Sequence, residues 1–140
     1  MSTKLASSKS ETLNLVNSFF GTFEKICNGD KEPTTRDLER TLSRNFNMNS
    51  NGQYLCRSLN DYLKRIANLR SKYSHFDITG PLEAPIVADN QVTVHYELDL
   101  KGRDGKDRQV YIMAIGTIYD GKIASWIQVT HEKGFQYWDE

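Results

Sequence analysis

The chain is 140 residues long, 38% hydrophobic and 26% charged, proportions that suit one globular domain large enough to bury a core. Its 18 basic and 18 acidic side chains cancel, which excludes the overall positive excess that draws a chain to nucleic acid or to an anionic membrane. Cys27 and Cys56 lie far apart, without a Cys-x-x-Cys pair or zinc-like spacing, so no disulfide framework and no metal site is expected, and reduced thiols in a cytoplasm are the simplest reading. The start, MSTKLASSKSE, has no apolar run, and about 18 successive apolar residues occur nowhere, so neither a signal peptide nor a membrane span is expected.

A polar tail at 1–10 precedes Leu13, Val16, Phe19, Phe20, Phe23 and Ile26, whose three- and four-residue steps predict a helix with one apolar face. Asn28, Gly29 and Asp30 end it. Pro33 and the pair Thr34 and Asp37 signal a second helix through Leu38 and Leu42 to about Arg44. The Asn-rich stretch 46–51 reads as a short extended piece, closed by the turn Asn51-Gly52. Ser58 and Asp61 cap a third helix, whose stripe is Leu59, Tyr62, Leu63, Ile66 and Leu69, ending near Lys72. Arg57, Lys64, Arg65, Arg70 and Lys72 make it basic, which reads as a solvated face ahead of a site for an acidic partner.

Beyond Tyr73 the period becomes two. Residues 76–79 are a candidate strand, followed by a loop at 80–90. Val92, Val94, Tyr96, Leu98 and Leu100 then alternate with polar residues, residues 109–119 are almost continuously apolar, and residues 122–131 form a last strand. Asp104-Gly105 and Asp120-Gly121 join the three as an antiparallel meander. Two-residue loops at both places set Ile115 opposite Trp126, Met113 opposite Gln128, Tyr111 opposite Thr130, and Tyr96 opposite Met113, all on one side. The other side then carries Ile112, Ile127 and Val129 with His95 and Glu97. A one-residue bulge in either hairpin would exchange the assignment.

This order of elements, with NGD at 28–30, FNMNSNG at 46–52 and YDGKIASWIQV at 119–129, resembles the nuclear transport factor 2-like superfamily over roughly residues 11–132. The resemblance implies an α+β fold: three N-terminal helices packed on a curved antiparallel sheet, a cone-shaped, cystatin-like roll enclosing a pocket. It divides the chain into a flexible tail at 1–10, one domain at 11–133 and a C-terminal tail at 134–140, whose Tyr137 and Trp138 are candidates to cross the pocket mouth or a partner subunit. Many members dimerise through the other face of the sheet, which makes Ile112, Ile127 and Val129 the expected surface. In the ketosteroid isomerase and polyketide cyclase branches, the pocket-facing positions of the last strand match Trp126, Gln128 and Thr130.

The carboxylates of those catalytic branches are not found at the matching positions. Residues 41–60 contain no Asp or Glu, although the branch's proton-abstracting base comes from the segment matching 46–52. The branch's acidic donors fall near Ile115 and Thr22, and the cyclase carboxylate near Gln128. Asn49 and Asn51 offer amides, which bind polar groups but do not accept protons near neutral pH. The expected ligand-binding residues are therefore Tyr96, Tyr111, Met113, Ile115, Trp126 and Gln128, with no catalytic residue, no metal and no cofactor. Trp126 serves equally well as core; Gln128 needs partners or a wet cavity. His75, His95 and His131 have no ligand-like spacing. The leading expectation is a cytoplasmic homodimer that binds an apolar small molecule without turning it over, and does not bind nucleic acid or membrane. The alternatives are a proton-transfer enzyme (isomerase, dehydratase or cyclase) using Glu97 or Asp77 as base, and a protein-interaction module using the outer sheet face.

Overall fold

The computed structural model describes residues 8–133; the expected C-terminal tail with Tyr137 and Trp138, and most of the expected N-terminal tail, lie outside them. Helix α1 (Lys9–Asn28) starts two residues earlier than the domain boundary read from sequence. The reason is a reciprocal cap: the Ser8 hydroxyl accepts from the Glu11 N–H at 3.1 Å, and the Glu11 carboxylate accepts from the Ser8 N–H at 3.0 Å. Val16, Phe19, Phe20 and Cys27 form its buried face.

The second helix is shorter than expected. α2 (Thr35–Leu38) is one turn, held by the Asp37 carboxylate on the Thr34 N–H at 2.8 Å. The chain then becomes strand β1 (Leu42–Ser50), not helix to Arg44, because its backbone is taken up in parallel pairing with the last strand, where Leu42 meets Ile123 and Met48 meets Trp126. Leu42 and Phe46 are fully buried by that move. Tertiary pairing outweighs local helix preference here. Asn51-Gly52, both at positive φ, turns the chain into β2 (Gln53–Cys56).

α3 (Leu59–Lys72), capped by the Ser58 hydroxyl on the Asp61 N–H, leads into β3 (Tyr73–Thr79), β4 (Ile86–Ala88), β5 (Gln91–Gly102), β6 (Arg108–Tyr119) and β7 (Lys122–Glu132). The sheet order is β2-β1-β7-β6-β5-β3, with β4 also on β5. The sheet is mixed rather than wholly antiparallel, since β1 and β7 run parallel. Edge strand β3 is covered by α1: Asn28 exchanges two 2.8 Å hydrogen bonds with the Phe76 backbone, and Glu24 accepts from the Ile78 N–H at 2.6 Å. These side chains satisfy backbone groups that an edge strand leaves unpaired, and they close the cone on one side.

The meander exists as read, but its central strand is turned over. Asp120-Gly121 is a two-residue turn with Tyr119 opposite Lys122, yet the register slips by one between Thr117 and Ile118. At the other hairpin, the loop beyond the Leu100–Arg108 pair is longer than two residues. Both offsets fall on β6. Trp126 therefore faces Gly116, Gln128 faces Ala114, Thr130 faces Ile112, and Tyr96 also faces Ile112. Val110, Ile112 and Ala114 are inside, whereas Tyr111, Met113 and Ile115 point outward with Ile127 and Val129. The expected dimer residue Ile112 is accordingly buried in the cone. A single extra residue suffices for this because strand side chains alternate with a period of two.

Candidate functional site

The closed end of the cone is aromatic. Trp126 has no exposed surface; its ring meets Phe19 edge-on at 5.0 Å, with Phe20 at 6.2 Å and Tyr96 at 6.3 Å. Its partner across the sheet is Gly116, where a Cβ would come within 2.9 Å of the indole. The absence of a side chain there is what lets the indole lie flat on the strand. Trp126 is thus the floor beneath the cavity and not part of its lining.

Above that floor is a cavity of about 520 Å³, a size that suits a small organic ligand. Phe19, Phe20 and Phe23 of α1 and Tyr62 and Leu69 of α3 form one wall; Tyr96, Leu98, Val110 and Ile112 of the sheet form the other. The sequence-predicted residues divide. Tyr96 and Gln128 line the cavity, whereas Tyr111, Met113 and Ile115 are on the opposite face of the sheet, Met113 and Ile115 being 46% and 42% exposed. Tyr111 sits there between His95 and His131.

Gln128 is held by three groups. Its Oε1 accepts from Trp126 Nε1 at 3.2 Å and from the Tyr96 hydroxyl at 3.5 Å, and its Nε2 donates to Ser50 Oγ at 3.2 Å. Two donors on the oxygen fix the amide's orientation, so its nitrogen is directed at β1, with one N–H left to give. Asn51 is also structural: its amide donates to Thr130 Oγ1 at 2.8 Å and accepts from the Thr130 N–H at 2.9 Å, and Asn49 accepts from the Gly52 N–H. Of the two amides read as possible ligand contacts, Asn49 thus closes the β1–β2 turn on itself and Asn51 ties that turn to β7.

Among the described residues, no Asp, Glu or His lines the cavity. Glu97 lies on the outer face opposite Tyr111, 3.5 Å from Lys133 Nζ, and Asp77 faces outward opposite Asp99. Glu132, at the rim, receives Arg108 Nε, and Arg108 Nη1 also donates to the Tyr73 hydroxyl at 2.9 Å. Burial holds the Tyr62 and Tyr96 hydroxyls well above the usual tyrosine range. It also pushes the Cys27 thiol up to about 12 and the Cys56 thiol up to about 11. These groups are neutral at physiological pH and poor proton acceptors or nucleophiles.

Sequence reasoning missed Arg65. On α3, Tyr62, Arg65 and Leu69 all line the cavity, and their spacing, i, i+3 and i+7, is the signal that could have found it. The basic run is not one solvated face. Arg57 lies over the Tyr54 ring at 4.1 Å, and Arg70 donates to the Gly29 and Lys31 carbonyls at the end of α1, at 2.6 and 3.1 Å. No group of three or more His, Cys, Asp or Glu that could hold a metal occurs among the described residues, and no helix there is long and apolar enough to cross a membrane.

No protein-family model matches the sequence, and no curated protein matches it. Solved structures do. AusH from Aspergillus nidulans superposes with a TM-score of 0.71 at 15% identity, covering 89% of this chain and 86% of that one. An NTF2-like protein of unknown function from Exiguobacterium sp. 255-15 gives 0.70 at 16%, covering 84% and 98%. A protein assigned as a SnoaL-like polyketide cyclase from Jannaschia sp. CCS1 gives 0.68 at 13%, covering 93% and 90%. At such identities the likeness concerns the backbone alone. The chain has the cone-shaped α+β fold of the nuclear transport factor 2-like and SnoaL-like proteins.

Proposed function

We propose that the chain is a small-molecule binding protein that holds a mostly apolar ligand in the cone without chemically changing it. The observation that carries this is the cavity of about 520 Å³ walled by aromatic and aliphatic side chains, with amides and hydroxyls but no carboxylate or imidazole among the described lining residues. Proton-transfer chemistry needs a group that gives or takes a proton within reach of the substrate. Glu97 and Asp77, the candidate bases, belong to the outer face, which counts against the enzyme reading. Some proteins of this fold bear enzyme names, among them an LEH-like epoxide hydrolase from M. tuberculosis, so the lack of a carboxylate or imidazole among the described lining residues is the discriminating feature.

The protein acts as a homodimer in this reading. Met113, Ile115, Ile127 and Val129 are adjacent on the outer face, with Ile127 51% and Val129 58% exposed, and a patch of this kind is suited to burial against a second copy. The two buried free thiols fit a reducing compartment, the cytoplasm.

Thermal melts with a panel of apolar acids, ketones and alcohols test the binding reading, alongside an assay with a steroid-type β,γ-unsaturated ketone. The expected result is a raised melting temperature with at least one panel member and no turnover. Turnover well above the solution rate, abolished by Gln128→Leu or Tyr96→Phe, would overturn it.

A further inference from the structure

The cavity has a charge that the chain as a whole lacks. The net formal charge is zero, yet among the described residues the charged side chains lining the cavity are Arg65 and Arg108 and no acid. Their situations differ. Arg108 is committed at the rim to Glu132 and to the Tyr73 hydroxyl. Arg65 is half-buried, and among the described residues it makes no hydrogen bond and no ion pair.

We propose that the ligand is a carboxylic acid with an apolar body, its carboxylate held by the Arg65 guanidinium and its body lying between the α1 phenylalanines and the sheet. This rests on the binding reading above and names its ligand class. Arg65 has no acceptor among the described residues, and the planar fork of N–H donors on a guanidinium matches a carboxylate in bidentate fashion. Tyr62 and Leu69 flank Arg65 on the cavity face of α3, so a carboxylate there has an apolar surface beside it. The positive charge also acts inward: it opposes the burial that raises the Tyr62 hydroxyl and the Cys56 thiol. The described lining residues include no acid to pair a cationic head group, and a neutral acceptor takes a hydrogen bond from Arg65 without balancing its charge.

The test is calorimetric titration of the full chain at pH 8 with decanoate and with decan-1-ol, a pair that shares an apolar chain and differs in head group. Wild type should bind decanoate at least about tenfold more tightly than decanol, a preference that shrinks as salt is raised. Arg65→Gln should bring the two within about twofold of each other while leaving decanol affinity and the melting temperature of the empty protein near wild type; Arg65→Lys should restore part of the preference. Decanol bound as tightly as decanoate, or a preference that survives in Arg65→Gln, overturns the carboxylate assignment and leaves the cavity as a binding site for neutral ligands. Binding of neither probe defeats the assignment and the binding reading together.

Discussion

On the inward side of β6, Val110, Ile112 and Ala114 are nearly inaccessible; on its outward side, Met113 and Ile115 keep 46% and 42% of their surface. The two sets are alike in chemistry, and they alternate along the same strand. What separates them is cover: α1 and its phenylalanines lie over one face, while none of the other described residues lies over Met113 and Ile115 enough to bury them. Apolar character therefore marks two different situations in this protein, burial completed within the chain and exposure that the proposed homodimer would cover. Polar groups follow the same division, with Gln128 enclosed by three partners and Glu97 on the outside beside Lys133.

Removing the deepest inward side chain gives the largest contrast. Trp126→Ala should cost about 3 to 5 kcal/mol in a urea unfolding experiment, because the indole is fully buried among Phe19, Phe20 and Tyr96. A loss well under about 1 kcal/mol would mean that the closed end is loosely packed and that the cavity extends to the sheet.

Gln128→Leu probes the polar part of the inward face. The change keeps bulk but deprives the Trp126 indole N–H and the Ser50 hydroxyl of their partner, so unfolding should be easier by about 1 to 3 kcal/mol. Combining it with Ser50→Ala sharpens the point, since a double-mutant cycle should show less than additive loss. Full additivity would argue that the Gln128 and Ser50 contact contributes nothing.

The outward face should respond in assembly rather than in stability. Ile127→Asp places a charge at a half-exposed position, where the effect on the folded single chain is expected within about 0.5 kcal/mol. In sedimentation, wild type should run at twice the chain mass and the variant at one. Monomeric wild type at high micromolar concentration would remove the dimer from the reading and leave the patch unexplained.

Legibility in the sequence followed the range of the forces involved. The face of α1, the Ser58 cap of α3, the turns at Asn51-Gly52 and Asp120-Gly121, and the three-stranded meander all depend on neighbours within a few residues, and all were readable from the chain. So was the placing of Tyr96 and Gln128 on the inner face, because each lies on a strand whose parity was read correctly. The missing carboxylate between 41 and 60 was equally plain.

Tertiary structure decided the rest. The strand at 42–50 takes its form from a parallel partner that arrives some eighty residues later, and a helix-like pattern near Leu42 contains no trace of it. The slip beside Thr117 and the longer loop after Leu100 each change phase by one residue; with side chains alternating every residue, that moved Tyr111, Met113 and Ile115 from the cavity to the surface and Ile112 from the surface to the cavity. Arg65 is distinguished from Arg57 and Arg70 only by what lies opposite each of them once α3 is docked. Composition and periodicity established that the chain would build a helix-covered sheet, because those signals are local; which residues face the enclosed space depended on register and docking, which contacts between distant segments set.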